Sequence, residues 1–329
     1  MKEADITIQK DSESVKFPFE SGPIRREYGN LIHEYTTEGF WEIKGEEKTF
    51  WPACDYPKTK KGFIRAGEDF FWVETEGKGT TLLLIHGGPG VDHRYFHPNL
   101  SLLASKRSLI YYDLRGHYMS PESTHRLTHG IMQDAKDIEN LRKALGVDYI
   151  DLLGHSYGGH VALLYALNYP DNVGNLVLCG VPLGETDEEI NRRIESHPIS
   201  KKMEKAKSSE KRKKLYYQFY YHKPLSKENL YYNKLVQLAY KTEKNQRLLR
   251  AYDDDPFNTD LAKKISDLHK SLLVIVGKYD PITCIEAIEN TIAGARCSRL
   301  AVCEESGHEP FVDEPDKFSG LVNDFLDGL

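Results

Sequence analysis

The chain of 329 residues lacks a basic surplus: 44 Lys and Arg stand against 50 Asp and Glu, a formal net charge of −6. Dedicated nucleic-acid binders carry the opposite balance, so nucleic acid is not an expected partner. Long apolar runs are also missing. Mean hydropathy is −0.55, and no stretch approaches the roughly 20 residues a membrane helix needs, so no membrane partner is expected. Paired cysteine is missing too. Cys54, Cys179, Cys284, Cys297 and Cys303 are odd in number and show no C-x-x-C spacing, which argues against a disulfide framework or a zinc knuckle. The charged start, Met1-Lys2-Glu3-Ala4-Asp5, is not followed by the apolar segment of a secretory signal. The expected compartment is a reducing cytoplasm. With 40% hydrophobic and 29% charged residues, the composition is that of a globular protein able to bury a sizeable core.

Along the chain the pattern is uneven. Residues 1–60 form an N-terminal extension with many aromatics (Phe17, Phe19, Tyr28, Tyr35, Phe40, Trp41, Phe50, Trp51) and no sustained period. Disordered segments are poor in aromatics, so this reads as an irregular but ordered extension lying on a core. From residue 61 strands and helices alternate. Gly62–Ala66 and Phe70–Thr75 read as two strands around a Gly-Glu-Asp turn. Thr81–Ile85, Ser108–Tyr112, Tyr149–Leu153, Asn175–Cys179, Ser271–Val276 and Arg299–Cys303 read as further strands. Helices are predicted over 131–145, 159–168, about 282–293 and 314–327. Such alternation implies an α/β architecture with a mostly parallel sheet flanked by helices.

Residues 183–265 interrupt that alternation. They are helical in pattern, charged and tyrosine-rich, and read as a helical cap inserted between core strands. The core then comprises 61–182 and 266–329. Within the cap, the basic run Lys201–Lys214 lacks interleaved aromatics and reads as a solvated helix face. Tyr216, Tyr217, Tyr220, Tyr221, Tyr231, Tyr232, Tyr240 and Tyr252 read as helix packing, with the lining of a small pocket as the alternative.

Three short motifs carry chemistry. Gly154-His155-Ser156-Tyr157-Gly158-Gly159 lies between a predicted strand and a predicted helix, the setting of a nucleophile elbow in which a sharp turn lifts the serine hydroxyl above the sheet. His86-Gly87-Gly88-Pro89-Gly90 follows the strand ending at Ile85. A glycine-rich loop there supplies a backbone N–H to an oxyanion, most simply from Gly88, with the second N–H coming from Tyr157. His86 itself reads as an orienting residue, not a base. Asp280 and His308 each follow a predicted strand, in the chain order serine, acid, histidine. Ser156 is then the nucleophile, His308 the base, and Asp280 the residue that orients and charges the imidazole. Asp113–Ser120 (Asp-Leu-Arg-Gly-His-Tyr-Met-Ser) reads as a supporting loop, with His117 structural.

Over residues 62–329 these motifs resemble the α/β-hydrolase superfamily. Within it, His86-Gly87-Gly88-Pro89-Gly90, paired with Ser156-Tyr157-Gly158-Gly159 and an insertion after Val181, is similar to the prolyl aminopeptidase (proline iminopeptidase) family of serine peptidases. The resemblance implies removal of N-terminal residues, proline or small and apolar ones, from short peptides through an acyl-enzyme on Ser156. It implies no metal or cofactor. Family members hold the substrate amine with carboxylates, one directly after the catalytic aspartate; here that position is Pro281. Asp254 and Asp255, with Asp253, are the candidate replacements where the cap rejoins the core, and Gly87 is a further candidate substrate contact. A carboxylesterase, lactonase or amidase with the same triad is the alternative, and a non-catalytic ligand receptor on the same scaffold is a third. The oligomeric state is left open.

Overall fold

The computed structural model describes residues 8–10, 13–15, 17–20, 22–123, 129–252, 261 and 264–328. Eight strands form the central sheet: β1 (Lys60–Ala66), β2 (Asp69–Gly77), β3 (Thr80–Ile85), β4 (Arg107–Tyr112), β5 (Ile150–His155), β6 (Val173–Cys179), β7 (Leu272–Gly277) and β8 (Ser298–Cys303). Their spatial order is β8-β7-β6-β5-β3-β4-β2-β1. β2 runs antiparallel to both of its neighbours, and the other pairs are parallel. Every residue of β4, β5 and β7 is buried, as expected where helices cover both faces of a parallel sheet. On one face α1 (Ile131–Leu145) and α2 (Tyr157–Asn168) pack Ile138, Leu141, Val161 and Tyr165 against the strands. On the other, the C-terminal helix Pro315–Leu326 packs Phe318 and Val322 beside Leu100 and Leu103.

Between β6 and β7 the chain forms α3 (Asp187–Ser196), α4 (Pro198–Glu204), α5 (Ser209–Tyr220), α6 (Lys227–Ala239) and α7 (Glu243–Tyr252). A capping box of Thr186 and Glu189 starts α3, and serine side chains cap α5 and α6. Lys201, Lys202, Lys205, Lys207, Lys211 and Lys214 are all exposed, in keeping with a solvated face.

The N-terminal extension differs from its irregular reading. Strands Ile24–Tyr28, Leu31–Thr36, Gly39–Lys44 and Glu47–Pro52 form a four-stranded antiparallel meander. Two-residue turns join them, and Gly29 and Gly45 adopt φ of 65° and 61° there, the left-handed backbone that tight hairpins require. Leu31, His33 and Tyr35 alternate into the interior. Tyr35 and Phe40 pack with Phe63 and Trp72 of the main sheet, Tyr118 and Met119 of the supporting loop, and Ala239 of α6. Among the described residues no helix is long and apolar enough to cross a membrane.

Candidate active site

Ser156 is the single residue between β5 and α2. It sits at φ 52°, ψ −121°, a region sparsely populated by residues with a Cβ and a store of local strain. Its N–H donates to the Cys179 carbonyl at 2.9 Å, tying the turn to the end of β6. The flanking glycines are required by close approach. A Cβ on Gly158 would lie 2.3 Å from the carbonyl oxygens of both His86 and Ile85, and one on Gly154 would lie 2.4 Å from that of Gly158. Those neighbours are backbone and cannot swing aside.

Asp280 follows β7 in a turn closed by its own N–H donating to Gly277 O at 3.1 Å. One carboxylate oxygen accepts from the Ile282 N–H at 2.8 Å. The other lies 2.9 Å from Nδ1 of His308. Donation from Nδ1 leaves Nε2 as the nitrogen with a free lone pair. Both side chains are buried. Burial opposes a charged imidazole, but the Asp280 charge and hydrogen bond outweigh it and hold the His308 pKa above its ordinary value. The loop after β6 passes against this ring: a Cβ on Gly180 would be 3.2 Å from His308 Nδ1. Because Ser156 is bonded to Cys179 and Gly180 abuts His308, the three predicted triad residues converge at one end of the sheet. The insertion braces the same point, since His308 N–H donates to Tyr220 O at 2.8 Å.

The loop His86–Gly90 is tied to the elbow by contacts that the sequence did not disclose. Gly87 N–H donates to the Tyr95 hydroxyl at 2.7 Å. That hydroxyl lies 2.8 Å from His155 Nδ1, and His155 Nε2 lies 3.0 Å from the His308 carbonyl. The directions follow from the donors. Tyr95 accepts from Gly87, so its one proton goes to Nδ1, and His155 donates from Nε2 to His308. Burial, with the nearby His308, holds the His155 pKa well below its ordinary value, which keeps the ring neutral. A Cβ on Gly87 would lie 3.2 Å from Ser156 Cβ, so the predicted substrate-contact glycine does flank the serine. Gly88 follows at φ 139°, and Tyr157 opens α2, the end of a helix from which backbone N–H groups point outward. His86 is an orienting residue: its Nδ1 bonds Gly87 O at 2.7 Å and its Nε2 accepts from Leu114 N–H at 3.0 Å.

Asp254 and Asp255, with Asp253, lie outside the described residues. A different carboxyl was missed. Glu309, next to His308, is 8% exposed, and its Oε2 finds no partner among the described residues. Burial raises its pKa to about 8, against the opposing pull of the Tyr221 hydroxyl beside it. The signal in the sequence was an acid adjoining the candidate base. A cleft of about 450 Å³ between the insertion and the loop after β7 is bordered by Arg193, His197, Phe219, Tyr221 and Asp280. Two groups of side chains among the described residues lie close enough to share a cation, Cys54/Glu74/His93/His97 and Asp92/His93/Asp113; neither contains a triad residue.

Residues 80–315 match the family described as alpha/beta hydrolase fold. The proline iminopeptidase of Saccharolobus solfataricus is 30% identical over 277 residues, covering 77% of this chain and 86% of that protein. The 2-hydroxy-6-oxononadienedioate/2-hydroxy-6-oxononatrienedioate hydrolase 1 of Dechloromonas aromatica is 25% identical over 250 residues, covering 75% and 86%. Among solved structures, an esterase from Exiguobacterium antarcticum superposes with a TM-score of 0.63 at 24% identity, over 80% of this chain and 98% of that one. The chain therefore belongs to the α/β hydrolase fold family, as a prolyl aminopeptidase-like member. It is a hydrolase.

Proposed function

We propose that the protein is a serine aminopeptidase that releases N-terminal proline or small apolar residues from short peptides. Ser156 attacks the carbonyl of the first residue while His308 Nε2 takes its proton. Asp280 holds the imidazole and stabilises its charged form. The Gly88 and Tyr157 N–H groups receive the developing oxyanion. His308 then protonates the leaving amine, giving an acyl-enzyme, and activates the water that hydrolyses it. The chemistry uses side chains and backbone alone.

The observation that carries this reading over its competitors is Glu309. It is a buried carboxyl beside the base, next to aromatic side chains of the inserted helices, with an oxygen in want of a donor. A substrate ammonium supplies that donor and converts the raised carboxyl to its charged form. Glu309 thereby takes the part for which Asp254 and Asp255 are the other candidates. The alternative, a carboxylesterase, lactonase or amidase on the same triad, needs no amine and gains nothing from Glu309.

Proline and alanine arylamides are to be assayed beside p-nitrophenyl esters. Ser156→Ala should abolish both activities. Glu309→Gln should raise KM for free-amine arylamides about tenfold or more, the value of one charge-assisted hydrogen bond, and leave ester hydrolysis near wild type. Good ester turnover with no arylamide turnover refutes the aminopeptidase reading. A KM effect confined to Asn replacements of Asp253, Asp254 and Asp255 moves the amine site to that cluster.

A further inference from the structure

Outside the triad, four side chains with ligand chemistry meet in the protein interior. Cys54 comes from the segment after the meander, Glu74 from β2, and His93 and His97 from the turn that follows the glycine-rich loop. All four are 0% exposed. One ligand atom of each lies within 4.8 Å of every other. Ligands held at about 2.0–2.3 Å in a tetrahedron stand about 3.3–3.8 Å apart, so contraction by about an ångström completes the shell.

Pairing among the four accounts for only part of the cluster. His93 Nε2 faces the Glu74 carboxylate, but neither nitrogen of His97, which is fully buried, has a hydrogen bond of good geometry among the described residues. His93 Nε2 lies 3.1 Å from Glu74 Oε1, and His97 Nε2 lies 3.7 Å from Glu74 Oε2. A buried imidazole nitrogen without a partner is costly, and one nitrogen of His97 lies within 4.8 Å of a ligand atom of each of the other three side chains. The surrounding groups are those that orient metal ligands. His93 Nδ1 bonds Asp113 Oδ1 at 2.6 Å, which directs the Nε2 lone pair at the cluster in the manner of a carboxylate–histidine–metal triad. Thr59 Oγ1 donates to Glu74 Oε2 at 2.7 Å and Trp72 Nε1 to Oε1 at 3.2 Å, fixing the carboxylate. The second group, Asp92/His93/Asp113, is explained without a cation, because Asp92 pairs with Arg94 at 2.7 and 2.8 Å.

We propose that Cys54, Glu74, His93 and His97 bind a divalent transition-metal ion, zinc by ligand preference, at a closed structural site. One thiolate, two imidazoles and one carboxylate are the ligand types zinc takes, and four protein ligands leave no open position for catalysis. Binding displaces the Cys54 thiol proton and the proton of each ligating imidazole that is charged before binding. The ion joins three separate parts of the chain. It also grips the two ends of the His93–His97 turn that carries Tyr95, whose hydroxyl bonds Gly87 and His155. This departs from the sequence-based expectation of no metal.

The full chain, dialysed against zinc chloride and cleared of excess, should hold about one zinc per chain by elemental mass spectrometry, with affinity falling more than about a hundredfold, beyond the loss for an outer-shell partner, in Cys54→Ser and His97→Gln. Cobalt in place of zinc should give the intense visible bands of a tetrahedral site and a near-ultraviolet thiolate-to-cobalt band that Cys54→Ser lacks. Added zinc should raise, and a chelator lower, the wild-type melting temperature, a readout that needs no variant. Uptake of neither metal by folded wild-type protein overturns the proposal and leaves an imidazolium–carboxylate network. Equal uptake by wild type and by folded Cys54→Ser or His97→Gln also overturns it.

Discussion

Tyr95→Phe tests the link between the glycine-rich loop and the elbow. The ring is 5% exposed and packs against Phe96 and Phe311 at centroid distances of 4.6 and 6.0 Å, contacts that phenylalanine keeps. Only the hydroxyl goes. Two buried groups then lose their partner: Gly87 N–H, bonded at 2.7 Å, and His155 Nδ1, at 2.8 Å. At about 1–3 kcal/mol for each orphaned group, the loss is about 2–6 kcal/mol, a large fraction of the 5–15 kcal/mol that holds a typical domain together. Tyr165→Phe is the matched control. Its hydroxyl donates to Glu139 Oε2 at 2.8 Å, but Glu139 keeps Arg142 at 2.8 and 2.9 Å and Asn172 at 3.1 Å, so its loss should stay near the ordinary ~1 kcal/mol. Urea denaturation, with midpoint and slope fitted separately, reads the difference. Gly87 flanks Ser156, so Tyr95→Phe should also lower kcat about tenfold, the effect of ~1.4 kcal/mol of lost alignment. Equal stability losses in the two variants, with kcat unchanged in both, would refute the relay.

Asp280→Asn should lower kcat by about ten-thousand-fold. Asp280 raises the His308 pKa, so its removal should also shift the acidic limb of kcat/KM to lower pH; a limb that stays in place contradicts the pairing. Gly158→Ala forces a Cβ to within 2.3 Å of two carbonyl oxygens and should yield no soluble folded protein. Gly320→Ala, in the C-terminal helix with nothing within 4 Å, should raise stability by about 0.5–1 kcal/mol in a thermal melt; destabilisation there would show an unseen contact.

The core and the elbow were legible because their signals are contiguous. A buried strand, a turn that needs glycine on both sides and a helix occur within residues 150–168, and each step of backbone geometry has a residue-type consequence. Helix α1 is legible from the apolar spacing of Ile131, Ala135, Ile138, Leu141 and Leu145, and the structure adds the stop, Gly146 in the left-handed conformation. The meander was hidden for a physical reason. Its strands are five or six residues long, and the outer face of Glu47–Pro52 is so exposed that little alternation survives. The Gly29-Asn30 and Gly45-Glu46 turns were the available clue. Gly87 and Tyr95, in one stretch, meet His155, 60 residues beyond Tyr95, so no local spacing announces the contact. Cys54, Glu74 and the histidines come from the meander junction, a strand and a loop, and only the His-x-x-x-His spacing of His93 and His97 is a local signal.

The extension also bears on the site, and Phe40→Ala separates a load on stability from an effect on geometry. Phe40 is 0% exposed. It stacks on Tyr35 at 5.1 Å and meets Tyr118 edge-on at 5.6 Å. Tyr118, in the supporting loop at φ 23°, carries the Arg94 guanidinium 3.6 Å above its ring. Arg94 precedes Tyr95. A continuous line of packed groups therefore runs from the meander to the hydroxyl that ties Gly87 to the elbow. Removing the Phe40 ring should cost about 3–5 kcal/mol. If the line transmits position, kcat/KM should also fall at a temperature where the variant is fully folded, because Tyr118 loses its edge contact with Phe40. Trp41→Ala, on the opposite face of the same strand and 39% exposed, should leave both quantities near wild type. A Phe40→Ala protein that is less stable yet kinetically unchanged would show that the meander supports the fold without shaping the site.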